Sequence, residues 1–372
     1  MGSGTGPRSE GGGSMSERYA VIMAGGRGER FWPISTRERP KQFLSLLSRR
    51  AMVVEAVERV KEWIPYERIL ILTNARHSQL VRRLVPQVPA ANVVGEPVGR
   101  DTAPAVALAT GLVGRCGGDA VFCVLTADHL IGDRDVFLRT LRACVQIAEQ
   151  NESLVTIGIR PTDPSTAYGY IEVAERIREI EGVAFFRALR FVEKPDAETA
   201  RRYLQQGNFF WNSGMFVWRV GAIRAALQQH CPRLYEFSRR VTESADPGEL
   251  LTPEVYGALE KISIDYAVME KSSNVVTARA EFQWDDIGSW EAVGSHLPSD
   301  AEGNRLSGRV LFRDAHNCIA VNQGRLVAIL GVRDLIVVQS DGVVLVCPRD
   351  RAQDVKRLVQ QMERNGTYED VL

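Results

Sequence analysis

Four short, almost uninterrupted apolar runs, each next to a segment of helical period, constrain the N-terminal part of this chain more than any other feature. The runs are Ala20–Met23, Ile69–Leu72, Ala120–Leu125 and Ser153–Ile157, and the helical segments span residues 51–64, 76–85, 105–113 and 136–149. A strand apolar on both faces must be covered on both faces, and alternating strand with helix does this in a parallel sheet. The predicted class is α/β: a Rossmann-like, mostly parallel sheet flanked by helices. Ligands on such sheets sit beyond the carboxyl ends of the strands. Function is therefore to be sought in the turns that follow these runs.

The first of those turns runs from Ala24 through Gly25, Gly26 and Gly28, carries Arg27, Arg30, Arg37 and Arg39, and ends in Pro40-Lys41-Gln42-Phe43. A strand running into glycines exposes several backbone N–H groups that phosphate oxygens can approach closely. Arg30 and Lys41 add the positive charge a triphosphate needs. Lysine is scarce in this chain, confined to positions 41, 61, 194, 261, 271 and 356, which makes one beside a glycine turn informative. The loop is not a dinucleotide fingerprint, because Phe31 stands at the third glycine position, and no GK[ST] of a P-loop is present. Its glycines alone would equally suit a tight turn.

Asp128 directly follows the third apolar run. A carboxylate there can ligate Mg²⁺ or cap the next helix. Asp286, and less so Asp285, lies in a Trp- and Gly-framed turn with the same two readings, and Mg²⁺ commonly takes one or two carboxylates plus substrate phosphates. His129 reads as an orienting or satisfied polar residue. Lys194, in the strand end FVEKP, aims a point charge at the same edge or is solvated. Glu172 and Asn212 stand between aromatics and glycines, where they suit hydroxyl recognition or a turn. No Ser/His/Asp or Cys/His arrangement is present, so no covalent enzyme intermediate is expected.

Basic and acidic residues balance at 46 each, which excludes a global electrostatic case for nucleic acid or membrane partners. The six cysteines show no CxxC or zinc spacing, and buried free thiols in a reducing compartment are expected. No stretch approaches the about 18 apolar residues of a membrane span and no signal peptide is seen, so a cytoplasmic setting is expected. Residues 1–14 (MGSGTGPRSEGGGS) read as an expression-derived leader, with the natural start at Met15. A catalytic domain is expected over 15–298. Short β runs spaced by Gly, Asn and Asp follow over 299–372, as a small β-helix or sandwich closed by a helix.

These elements, in this order, resemble the sugar-1-phosphate nucleotidylyltransferases, and within them the group that acts on mannose 1-phosphate with GTP. The resemblance runs from about Tyr19 to Val355 and rests on AGGRGERFWP, RPKQFL, GEPVGRDTAPA, TADHLI, TAYGYIE, FVEKP, WNSGMF, SIDYAVMEK and WDDIGSW. It implies a Rossmann-like nucleotide domain with a small C-terminal β-helix region, and a Mg²⁺-dependent transfer of GMP to mannose 1-phosphate. It further implies that Ala24, Gly25, Gly26, Gly28, Glu96, Arg100, Thr102 and Ala103 hold the nucleotide, with Arg30 and Lys41 on its phosphates. By the same resemblance Asp128 and Asp286 ligate the metal, Lys194 binds the sugar phosphate, and Gly169, Glu172, Glu193 and Asn212 contact the hexose. A homodimer is implied too. Longer relatives carry an added isomerase domain, which is not expected here. Asp101 stands where the family pattern has Asn, and TADH replaces the commoner PSDH. The alternatives are a transferase for another sugar 1-phosphate or nucleotide, and a non-catalytic sugar-nucleotide sensor.

Overall fold

The computed structural model describes residues 17–150 and 152–372; the proposed leader over 1–14 and the start at Met15 lie outside them. Both faces of the expected strands are buried, and they alternate between two cores. In β1 (Arg18–Ala24), Ala20, Ile22 and Ala24 enter one core while Tyr19 and Val21 enter the other. Strands β2 (Ile69–Asn74) and β3 (Val93–Glu96) follow, then β4 (Val121–Thr126), where Cys123 and Phe122 divide in the same way. That period-two division makes helices on both sides necessary.

The first core is covered by α1 (Met52–Val60), by α2 (Ser78–Leu84) through Val81, and, beyond the next helix in sequence, by the seventeen-residue helix 134–150. The second is covered by α3 (Thr102–Gly114), which is apolar on nearly every side because sheet and helix both press on it. After β5 (Leu130–Ile131) and α4 (Arg134–Gln150) come β6 (Leu154–Ile159), then β7 (Tyr170–Ile180) and β8 (Val183–Val192), which pair with each other. Helix α5 (Ala197–Gln206) leads to β9 (Phe209–Arg219). Helices α6 (Val220–His230) and α7 (Pro232–Glu243) then close the second core against α3. Residues 251–263 form turns, and the short helix α8 (Ile264–Ala267) follows them.

The nine-stranded sheet has the order β3-β2-β1-β4-β9-β6-β10-β8-β7, with β10 at Val275–Ala280. Strands β3, β2, β1 and β4 are parallel, as are β6 and β10, and β9 runs antiparallel between the two sets. The carboxyl ends of six strands therefore fall on one edge, as the mostly parallel reading requires. Strand β11 (Trp284–Asp285) and α9 (Trp290–Ser295) complete this part.

The C-terminal strands stack as coils of a β-helix. Strands β12 (Arg305–Ser307), β14 (Ile319–Asn322) and β16 (Leu335–Ser340) form one parallel wall, with β13 (Val310–Arg313) and β15 (Val327–Leu330) forming the other. Antiparallel β17 (Val343–Pro348) closes the first wall, and α10 (Val355–Asn365) follows. Asp314, Asn317, Asp334 and Asp341 hold the left-handed corners of the coils, which short polar side chains tolerate best. All six cysteines are free; Cys123, Cys144 and Cys318 are buried as expected, whereas Cys231 and Cys347 are only half-buried and Cys116 is exposed. Among the described residues no helix is long and apolar enough to cross a membrane.

Candidate active site

The glycine turn leaves β1 at Ala24, whose carbonyl accepts from Gln42 Nε2 at 2.8 Å and from the Thr73 hydroxyl at 2.9 Å. Gly25 and Gly26 are exposed, and no atom lies within 4 Å of where a Cβ on Gly26 would stand. Gly28 has φ 68°, and a Cβ there would lie 2.6 Å from Lys41 Cβ and 2.8 Å from Lys41 N. Only glycine lets the turn lie against the Pro40–Phe43 segment. Arg30 stands exposed beside this turn.

Lys41 is buried. Its ammonium donates to Asp128 Oδ2 at 2.9 Å and to the Asp286 carbonyl at 2.6 Å, and lies 5.5 Å from the centre of the Phe31 ring. The two aspartates meet because β5 and β11 form a short antiparallel ribbon, pairing Leu130 with Asp285 and Ile131 with Trp284. Each aspartate sits just outside that ribbon. Asp285 serves the turn itself, accepting from the Ile287 N–H at 2.7 Å and bonding His296 Nε2 at 2.8 Å.

Burial alone would raise the Asp128 carboxyl, but the Lys41 ammonium, with His129, outweighs it and holds Asp128 below its ordinary value. Asp286 is raised, chiefly by burial and also by the nearby carboxylates Asp285 and Asp128, against the pull of Lys41. Tyr168 donates to Asp286 Oδ1 at 3.3 Å from between Trp211 and Trp284, whose rings it meets edge-on. His129 is a hydrogen-bonded polar residue: its Nδ1 accepts from Trp284 Nε1 at 3.1 Å, and burial lowers its pKa to about 4, so it is neutral. Among the described residues no group of three or more His, Cys, Asp or Glu side chains makes a ready metal cage. A pair of hard carboxylates with that few protein donors fits a divalent ion whose remaining ligands are substrate oxygens and water.

A second group lies where β7, β8 and β9 meet. The Gly169 carbonyl accepts the Asn212 N–H at 2.8 Å. A Cβ on Gly169 would lie 2.7 Å from Glu193 Oε2 and 3.6 Å from Asn212 Cβ. Lys194, at φ 40°, pairs with Glu193 Oε1 at 2.8 Å. The Asn212 amide is held at both ends, accepting from the Gly214 N–H at 3.1 Å and donating to Asp265 Oδ1 at 2.7 Å. Burial, with Glu193 adding to it, pushes the Asp265 carboxyl up to about 6. Gly169, Glu193, Lys194 and Asn212 are thus neighbours. Glu172 is drawn into a different contact, paired with Arg190 at 2.5 Å and accepting from Asn208 at 3.3 Å.

On the other side of the glycine turn, Glu96 ends β3, and its Oε2 lies 3.4 Å from where a Cβ on Gly25 would stand. Tyr256 donates to its Oε1 at 2.5 Å. Burial pushes the Glu96 carboxyl up to about 7 against that bond. Arg100 carries a buried Nε without a partner. Asp101 caps α3 by accepting the Thr102 N–H at 2.8 Å, a role Asn fills equally well. The Thr102 hydroxyl accepts from Ile264 N–H at 2.8 Å, and the Ala103 N–H goes to the Ile262 carbonyl at 3.1 Å, so this segment is bonded to the one that carries Asp265. Asp265, Tyr168 and Tyr256 were not singled out from sequence. The first two lie inside quoted motifs, SIDYAVMEK and TAYGYIE, and Tyr256 carried no signal.

A family model described as nucleotidyl transferase matches residues 19–301, and one described as a mannose-phosphate isomerase/GMP-like β-helix domain matches 308–362. A mannose-1-phosphate guanylyltransferase of Escherichia coli is 38% identical over 94% of this chain and 74% of its own length. The alginate biosynthesis protein AlgA of Pseudomonas aeruginosa is 35% identical over 94% and 73%. A crystal structure described as mannose-1-phosphate geranyltransferase from Thermus thermophilus superposes with a TM-score of 0.84 at 36% identity, covering 93% of this chain and 99% of that one.

Glu96 makes a pH test possible. Its folded-state pKa lies above the unfolded value, so the native state holds the extra proton and loses stability as pH rises from about 4.5 to about 7. Glu96→Gln removes that dependence. Urea unfolding at pH 5 and pH 8 should show the variant gaining on the parent by on the order of 1–3 kcal/mol across the interval. An equal gap at both pH values contradicts the burial of a titrating carboxyl.

Proposed function

The chain belongs to the nucleotidyl transferase family, with the mannose-1-phosphate guanylyltransferases, and from that premise we infer how its residues carry the reaction. It transfers GMP from GTP to mannose 1-phosphate, giving GDP-mannose and pyrophosphate. The observation that carries the residue-level reading is the buried Lys41 ammonium, which links Asp128 to the Asp286 turn beside the glycine loop.

In this reading the turn through Ala24, Gly25, Gly26 and Gly28 accepts the triphosphate on its N–H groups, with Arg30 and Lys41 neutralising phosphate charge. Glu96, Arg100, Thr102 and Ala103 line the nucleoside side, where the acceptor Glu96 Oε2 suits the N–H edge of guanine. Gly169, Glu193 and Asn212 receive the hexose. Glu193 and Asp265 are hydroxyl acceptors, and Glu172 supports this wall through Arg190. Lys194 holds the incoming sugar phosphate against repulsion from the triphosphate. That phosphate is already anionic, so its attack on the α-phosphorus needs no general base, and the protein supplies position and charge.

Members of this family use a divalent cation. Mg²⁺ is the ion proposed here, held by Asp128 and Asp286. When bound it would neutralise charge on the phosphate oxygens. A catalytic domain over 15–298 with a β-rich module over 299–372, a homodimer and a cytoplasmic setting belong to the same proposal.

Asp128→Asn should lose about 10²–10³ in kcat, as for loss of one preorganised charge-stabilising group, with an unchanged circular dichroism spectrum. Pyrophosphate release from GTP, UTP, ATP and CTP, each with mannose and glucose 1-phosphates, reads both points. Preference for GTP with mannose 1-phosphate supports the assignment. A UTP preference, or Asp128→Asn turning over at the parent rate, overturns it.

A further inference from the structure

The C-terminal module packs directly beneath the loop to which the triphosphate is assigned. Phe31, Trp32, Ile34 and Leu44 from that loop share one buried core with Ile287, Trp290 and Val293 from the Asp286 turn and α9. The far side of the same core is Ile319, Val321, Ile336 and Val338 of the β-helix, with Val355, Val359 and Met362 of α10. Polar contacts join the same parts. Trp32 Nε1 donates to the Val371 carbonyl at 2.8 Å, and Trp290 Nε1 donates to the Trp32 carbonyl at 3.1 Å. Glu363 on α10 pairs with Arg37 at 3.0 Å and lies 3.8 Å from Arg27. Lys356 and Gln360, also on α10, reach Glu29 at 3.8 and 3.5 Å. Arg349 pairs with Glu291 of α9.

A continuous line of contact follows, from α10 to Glu29, from the C-terminal Val371 to Trp32, from Phe31 to Lys41, and from Lys41 to Asp286. Neither catalytic turn is held by the sheet alone. Both rest on the module, and Phe31 meets Trp290 edge-on at 5.3 Å where they join. A site held to within a fraction of an ångström depends on such supports.

We propose that the C-terminal β-helix and α10 brace the triphosphate loop, so that GTP binding and the stability of this module are thermodynamically linked, with Trp32 and Glu363 as positioning residues. The proposal rests on the assignment of the triphosphate to the glycine loop. Whatever binds the braced loop more tightly than the unbraced one must, by linkage, stabilise the brace. Mannose 1-phosphate, assigned to the wall at Gly169, Glu193 and Asn212, has no such contact.

Hydrogen exchange of the full chain, read by mass spectrometry, tests this with GTP alone, mannose 1-phosphate alone and neither. GTP should slow exchange of amides in 355–365 by about tenfold, and mannose 1-phosphate should leave them unchanged. Protection of residues 25–31 by GTP without protection of 355–365 overturns the brace and leaves the loop assignment standing. Protection of neither overturns both. The variants Trp32→Phe and Glu363→Gln should raise KM for GTP by roughly three- to tenfold and leave KM for mannose 1-phosphate within about twofold. The exchange pair Arg37→Glu with Glu363→Arg should recover most of the Glu363→Gln loss. A fall in Tm with KM for GTP unchanged reduces these residues to packing and overturns the proposal.

Discussion

A buried ammonium must be paired, and Lys41 has its pairs in two turns far from it in sequence. Removing a charge from water costs several kcal/mol unless close partners compensate. Lys41 meets that requirement through the Asp128 carboxylate and the Asp286 carbonyl. Three segments must therefore close together for any one of them to be satisfied. The Gly28 turn can approach Lys41 because it has no side chain. The β5–β11 ribbon sets the two aspartates beside each other. The C-terminal core lies beneath both the glycine loop and the Asp286 turn.

The charges divide by task along the sheet edge. At Lys41, carboxylates stand beside a cation, and burial raises Asp286 while Lys41 holds Asp128 down. That asymmetry favours the ionised form of Asp128 more than that of Asp286. At the junction of β7, β8 and β9 the polar side chains are mostly acceptors, the exposed Glu193 and the more enclosed Asp265, with Asn212 locked between Gly214 and Asp265. Neutral hydroxyl donors match such a surface better than an anion does, and Lys194 stands at its margin, paired with Glu193.

The sheet was legible because its strands are apolar on both faces, and that pattern has few solutions. The turns at strand ends were legible for the same reason, together with the glycines after Met23. Which carboxylate of a neighbouring pair faces the site was harder to read. Asp285 and Asp286 are adjacent, and only the ribbon register and the Ile287 and His296 bonds separate their roles. Glu172 and Glu193 both sit among apolar strand residues. Strand pairing sets Arg190 on the first and Gly169 on the second, a long-range outcome that local pattern does not contain. Asp265 sits in the first turn of the four-residue α8, which follows an irregular segment and is held through Ile262 and Ile264 to the start of α3. Residues 251–263 have enough apolar content to imitate a helix, but their packing against the second core keeps them as turns.

The central claim is that the Lys41 ammonium occupies, beside Asp128 and Asp286, the charge position that a cation and phosphates later share. Manganese binding by electron paramagnetic resonance, on the parent and on Lys41→Met without nucleotide, tests it most directly. With the ammonium gone, the Asp128–Asp286 pair loses the cation that satisfies it and an added divalent ion can take that place, so at pH 8 Lys41→Met should bind Mn²⁺ at least as tightly as the parent. In the same preparation kcat with GTP and mannose 1-phosphate should fall by about 10² or more. Weaker Mn²⁺ binding by the variant, or turnover at the parent rate, would contradict the account.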